Sequence, residues 1–158
     1  MVVGSGFHWF DAPAALREIH RVLSVDGRLA LAWNPEDDPP SQWAAEVRAL
    51  VRTYAPRRPG HSARHWPDVL TEGGLFGAVR EWLFPWQVQM TVDQVLARTV
   101  SYSHVAALDA ATRQRLQGEV RQLLTRHSRP DGRFELRYRT KLIVADRRTP
   151  DDQPPAVE

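Results

Sequence analysis

Apolar positions along this chain alternate between helical spacing and unbroken runs. Leu16, Ile19 and Leu23 recur at intervals of three and four with Ala15 and Val22 beside them, which predicts one buried face of a helix. Asp11 is placed to cap that helix, and Pro13 suits its first turn. Val25-Asp26-Gly27 predicts a turn, and Leu29 to Trp33 then runs without alternation, as a strand covered on both faces does. Helix, turn and buried strand predict half of a right-handed β-α-β unit, and Met1-Val2-Val3, where the preceding strand should be, is too short to be a satisfactory central strand.

The rest of the chain continues the alternation. Pro35 to Pro40 is a proline-rich acidic loop, and Ser41 is placed to cap a helix with an apolar stripe of Trp43, Val47, Leu50, Val51 and Tyr54. Residues 55–65 have no apolar period and read as a solvated loop carrying Arg57, Arg58, His61, Arg64 and His65. Pro67 and Asp68 open a short helix that Gly73 and Gly74 end, before an aromatic strand from Val79 to Trp86 in which Pro85 marks a bulge, an edge or an end. Thr91 and Gln94 match a capping box for a helix with Val92, Val95, Leu96 and Val100 inward. Asp109 caps a longer helix, about Ala110 to His127, with Leu116, Val120, Leu123 and Leu124 inward and Gly118 at an exposed interior position. After the Pro130-Asp131-Gly132 turn, Phe134, Leu136 and Tyr138 alternate into the apolar Leu142-Ile143-Val144, which predicts a strand over 138–145. The polar, proline-rich residues 147–158 are expected to be a disordered tail, leaving one domain over 1–146 with a helical insert at about 91–128.

Composition narrows this picture in two ways. A formal charge of +2 is too small to call for nucleic acid, and the absence of cysteine excludes disulfides, thiolate metal sites and thiol catalysis. Neither a leader peptide nor an apolar span of about 20 residues is legible, so no membrane is expected and cytoplasm is the default location.

Phe7-His8-Trp9-Phe10-Asp11, the helix ending Ile19-His20-Arg21-Val22-Leu23, and Gly27 to Asn34 together resemble the second half of class I S-adenosylmethionine-dependent methyltransferases, specifically the small-molecule, type 11-like group. The resemblance implies an α/β fold: a partial Rossmann-like sheet of a strand 4 remnant, then strands 5, 7 and 6, with helices on both faces. It makes Leu29–Trp33 strand 5, the aromatic stretch strand 6, and Tyr138–Ala145 strand 7, lying between them. It also implies S-adenosylmethionine as cofactor. In the family a glycine-rich loop after the first strand and an acid ending the second hold that donor, and neither stands at the expected place here. Donor binding by the isolated chain is therefore expected to be weak or absent, and the chain to be truncated relative to the family. The unpaired parallel edge left at the strand 4 remnant implies a homo-oligomer joined through that edge or a complementing polypeptide that covers it.

In open α/β sheets, ligands sit beyond the carboxyl ends of the strands, which places Gly4 to Phe10 and the residues after Trp33 on one edge. His8 is the candidate catalytic residue, able to orient an acceptor or take its proton. Gly4, Ser5, Phe7 and Trp9 are candidates for one wall of the donor site. Phe10, Trp33, Asn34, Tyr102 and His104 are candidates for a small-molecule acceptor pocket. No metal site is expected. The alternative to a methyltransferase-like enzyme is a non-catalytic binding or assembly protein on the same fold.

Overall fold

The computed structural model describes residues 1–36, 41–56, 65–127 and 131–149. The elements are β1 (Val2–Gly4), a one-turn 3-10 helix (Phe7–Trp9), α1 (Ala12–Val22), β2 (Arg28–Trp33), α2 (Gln42–Tyr54), α3 (Trp66–Glu72), β3 (Phe76–Met90), α4 (Val92–Ser101), α5 (Ser103–Ala106), α6 (Ala110–Arg126) and β4 (Phe134–Arg147). The strands form one mixed, open sheet flanked by helices, in the order β1-β2-β4-β3. β1 is parallel to β2 with Gly4 opposite Ala32, and β2 is antiparallel to β4 with Leu31 opposite Ile143. Pairs between β3 and β4 run in opposite senses: Arg80 meets Asp146, Trp86 meets Tyr138 and Gln89 meets Glu135, so this ladder is antiparallel too. The last strand in sequence thus lies between β2 and β3, as the partial methyltransferase sheet requires.

The chain divides into two compact units. Of the described residues, the first takes 1–35, 65–84 and 139–149, and the second takes 36, 41–56, 85–127 and 131–138. In the first, Leu16 and Ile19 of α1 pack with Leu29 and Leu31 of β2, Leu70 of α3, Phe76, Ile143 and Ala145. In the second, Val47 and Val51 of α2, Val95 and Leu96 of α4, Val105, four residues of α6 and Phe134 form a separate core.

Local rules account for most element ends. Asp11 accepts from the Ala14 N–H at 2.9 Å, Asp109 accepts from the Thr112 N–H at 2.9 Å, and Thr91 with Gln94 closes the capping box. Ser41 stands at the N-cap of α2 but makes no side-chain cap bond. Val22 ends α1 at the surface, 49% exposed, because the stripe continues from Ile19 to Leu23, which packs against the core while Val22 faces away from it. β3 and β4 are longer than their apolar cores, since backbone pairing continues where side chains no longer need cover. Pro85 lies inside β3, which its place at the end of the sheet order allows, because an edge strand has a side where no donor is needed. Arg147 closes β4 and the Arg148 N–H donates to the Leu75 carbonyl at 3.0 Å, whereas the rest of the expected tail, 150–158, lies outside the described residues. Arg57, Arg58, His61 and Arg64 also lie outside them.

Gly118 sits on the exposed side of α6, and a Cβ built there meets nothing within 4 Å. Gly118→Ala should therefore raise stability by about 1 kcal/mol, through backbone entropy alone. Urea unfolding followed by circular dichroism checks this; an unchanged or lower midpoint would contradict it.

Candidate functional site

In the first unit the parallel pairing of β1 and β2 sends both carboxyl ends to one edge. Ser5 extends the ladder by donating its N–H to the Ala32 carbonyl at 2.8 Å, and it does so in a left-handed backbone conformation, φ 51°, that few non-glycine residues adopt. The chain then folds into the one-turn helix, with the Trp9 N–H donating to Gly6 and the Phe10 N–H to Phe7. Phe7 is fully buried and sets the depth of the loop. Its ring meets Phe10 edge-on at 5.9 Å and Trp66 at 5.4 Å, while Trp66 stacks on Trp33 at 5.5 Å.

With Phe7 as anchor, Trp9 and Phe10 are held outward, 61% and 51% exposed. His8, between Phe7 and Trp9 in sequence, is half-buried, its ring 4.9 Å from that of Trp9. Asn34 is exposed past the end of β2, where its Oδ1 accepts from the Thr140 hydroxyl at 2.8 Å. A Cβ at Gly4 would point into open space. Gly4, Ser5, Phe7, His8, Trp9, Phe10, Trp33 and Asn34 therefore belong to one unit, and Phe7 serves the loop from inside the core.

Tyr102 and His104 belong to the second unit, where their rings lie nearly parallel with centroids 5.6 Å apart. The Tyr102 hydroxyl donates to Glu36 Oε1 at 3.1 Å. Arg98 also donates to that oxygen, and Arg48 donates to Glu36 Oε2 at 2.7 Å. The Arg98 guanidinium stands over the Tyr102 ring at 5.1 Å and the Tyr138 ring at 5.6 Å, and its Nε donates to the Tyr138 hydroxyl at 2.8 Å. Trp86 stacks on Tyr138 at 4.3 Å.

Burial pushes the Glu36 carboxyl up, but hydrogen bonds and charge from Arg98, and then from Arg48, outweigh it and leave its pKa below the ordinary value. Burial pushes the Tyr102 phenol up; Arg98 opposes that shift and Glu36 reinforces it. At neutral pH this network is a carboxylate, two guanidiniums and a neutral phenol, all partnered.

Trp66, Glu36, Arg48, Arg98 and Tyr138 are the residues that sequence reasoning missed. The signal was slight: Glu36 lies in an acidic loop, and its contact with Arg98 spans 62 positions. His65, from the basic loop, instead meets Asp68 at 3.0 Å on the surface. Among the described residues, no group of three or more His, Asp or Glu is placed to hold a metal ion, and no helix is long and apolar enough to cross a membrane.

Comparison with known proteins gives a resemblance to methyltransferase-like proteins in sequence and in fold. No family model matches the chain. An uncharacterized methyltransferase-like protein of Schizosaccharomyces pombe is 29% identical over 117 residues, 74% of this chain and 45% of its own length. An uncharacterized methyltransferase of Mycobacterium tuberculosis is 29% identical over 127 residues, 80% of this chain and 49% of its own. The chain thus spans about half the length of the curated relatives it matches. The solved structure of a provisionally assigned type II methyltransferase from Anaeromyxobacter dehalogenans covers 92% of this chain and 63% of its own, with a TM-score of 0.54 at 17% identity, and shares the fold.

Removing Glu36 would leave two partly buried guanidiniums without their carboxylate. Glu36→Gln should cost about 2 kcal/mol at neutral pH. Because the folded-state pKa of Glu36 is depressed, its contribution is fully present above the ordinary carboxylate range and is lost as pH falls through the folded value. Urea titrations at pH 7 and at successive steps below pH 5 should therefore show the difference between wild type and Glu36→Gln shrinking, and a gap constant with pH would contradict the assignment.

Proposed function

We propose that this chain serves S-adenosylmethionine-dependent methyl transfer to a small molecule, with the His8 loop at the reacting edge. The observation that carries the reading is the parallel register of β1 and β2, which brings Gly4–Phe10 and Asn34 to the carboxyl edge of one sheet, where open α/β sheets take their ligands. The sequence relatives support the chemistry at the level of the family resemblance.

The residues present fit part of the donor. Trp9 and Phe10 offer exposed aromatic surface for a planar group, and Gly4 leaves room for close backbone approach. The donor's charged and ribose ends are not matched. Gly4-Ser5-Gly6 leads into a single 3-10 turn, so no long helix opens its N–H groups at this loop, and β2 ends on Trp33 and Asn34 with no carboxylate to meet a ribose. One wall cannot both enclose and orient the donor. Methyl transfer depends chiefly on alignment of the reactants. His8 would orient the acceptor or take its proton at an imidazole nitrogen, while Trp9, Phe10 and Asn34 bound it.

A binding or assembly role without transfer is the second reading, favoured by that same one-sided donor wall. Isothermal titration of the 158-residue chain with S-adenosylmethionine and its demethylated product should give no one-site binding in the low micromolar range. A dissociation constant in that range would show Gly4-Ser5-Gly6 to be an operating cofactor loop. A chimera supplying a glycine-rich first strand and second-strand acid from a methyltransferase of this fold should gain saturable donor binding. In it, His8→Ala should lower turnover of a small nucleophile about a hundredfold with little change in donor affinity. A chimera that binds donor but methylates none of a panel of phenols, amines and carboxylic acids would favour the second reading.

A further inference from the structure

Among the described residues β3 is one of the two edge strands of the sheet, and its centre is apolar where a surface strand would ordinarily be polar. Trp82, Leu83, Phe84 and Trp86 are 42%, 54%, 50% and 43% exposed. The backbone of this stretch faces outward in a definite phase. The Arg139 N–H donates to the Pro35 carbonyl, following β2, so Arg139 bonds toward that side and its neighbours Tyr138 and Thr140 bond toward β3. Trp86, stacked on Tyr138, and its alternate neighbours Phe84 and Trp82 therefore bond inward. Among the described residues no strand pairs with the outer side of β3, so Glu81, Leu83 and Gln87 turn their backbone groups outward, and Pro85 presents a carbonyl only.

We infer that β3 pairs with β3 of a second copy of this chain, antiparallel, about a two-fold axis at Phe84. The sequence Trp82-Leu83-Phe84-Pro85-Trp86 has its aromatics at 82, 84 and 86 and so reads the same way in both directions. Pairing two copies about Phe84 places Trp82 opposite Trp86 of the partner, and Phe84 opposite its own equivalent, which joins three aromatic rows on one face. An isologous contact needs this kind of self-complementarity. Phe84 bonds inward, so the axial pair is a non-hydrogen-bonded one, with its Cα atoms about 4.5 Å apart and its side chains at closest approach. Leu83 donates to the carbonyl of the partner's Pro85, and Glu81 exchanges both bonds with Gln87 across the axis. The missing proline donor removes one bond on each side of the centre and leaves the ladder otherwise intact.

Charge permits this register. Arg80 and Glu81 are paired within their own chain, to Asp146 and Lys141, and across the axis they would face Val88 and Gln87, so no like charges meet. The four exposed apolar side chains, each with about half of a 150–250 Å² surface still open, would bury roughly 400 Å² per copy. Flanking backbone and side chains bring this to the lower range of specific interfaces, so the dimer should be reversible, with a dissociation constant on the order of tens of micromolar.

Light scattering and sedimentation velocity of the full chain from about 1 to 300 µM should show a monomer–dimer equilibrium. Phe84→Lys puts two like charges on the axis, and should weaken the dimer at least tenfold while leaving the circular dichroism unchanged. Val2→Lys, on the opposite edge, should leave dimerisation unchanged. The chain has no cysteine, which permits a positional test. Phe84→Cys should form a covalent dimer under mild oxidation at least tenfold faster than Trp82→Cys, because only position 84 meets itself. A wild type monomeric at 300 µM, association lost in Val2→Lys and kept in Phe84→Lys, or equal cross-linking at both positions would each overturn the proposal.

Discussion

β2 is hydrogen-bonded on both sides, and the senses of its two neighbours differ. That constraint organises the first unit. The parallel neighbour β1 cannot be joined to β2 by a tight turn, so the chain must cross over, and α1 is that crossover. The antiparallel neighbour β4 matches Leu31 with Ile143 and Leu29 with Ala145, all four buried without residual exposure. Because β1 and β2 end on the same side, the loop after β1 begins beside the loop after β2. Ser5 accepts a left-handed backbone to continue one further bond to Ala32, and the turn this creates drives Phe7 into the core. The exposure of Trp9 and Phe10 is the consequence, since Phe7 is the aromatic of this turn that is buried.

Periodicity read well where one face of an element carried the burial. Asp11, Thr91 with Gln94, and Asp109 could be assigned as caps because each stands directly before an apolar stripe and bonds within three residues. β2 was legible because both its faces are covered and its apolar run is unbroken. β3 was legible only in part: its aromatic stretch marked a strand, but seven further residues, three at its N-terminal and four at its C-terminal side, join by backbone pairing, which side-chain pattern does not encode. Ser41 has the right residue type in the right place and still makes no cap bond, so a capping residue type does not by itself establish a cap.

The candidate loop was legible from its position after a short strand and from its density of aromatics. Its support was not. Trp66 precedes a proline at the start of α3, a place that suggests a helix end and nothing else, yet it fills the space between Phe7 and Trp33. Tyr102 stood out as polar and aromatic at a helix end, and Arg98 lies only four residues before it on α4, but Glu36, which accepts from its hydroxyl, and Tyr138, which shares Arg98 with it, come from distant parts of the chain. Contacts of 62 and 40 positions' separation leave no trace in local spacing, and only the fold reveals them.

The chemistry of the second unit follows from how completely those groups satisfy one another. Efficient proton transfer asks for a group that changes protonation near the working pH. Glu36 is held ionised below the ordinary carboxylate range by two guanidiniums, and Tyr102 is held neutral, so neither meets that condition. Both oxygens of Glu36 are engaged, and no buried side-chain polar atom among the described residues lacks a partner. What such a network can do is position. Glu36 bridges the backbone of Tyr138 while its side chain reaches Arg48 on α2 and Arg98 on α4, so one carboxylate ties two helices to the first half of β4. The planar fork of arginine, standing over two tyrosine rings, fixes that geometry in a way a lysine ammonium could not. A polar cluster that looks like a reaction centre by composition is thereby a structural clamp by connectivity.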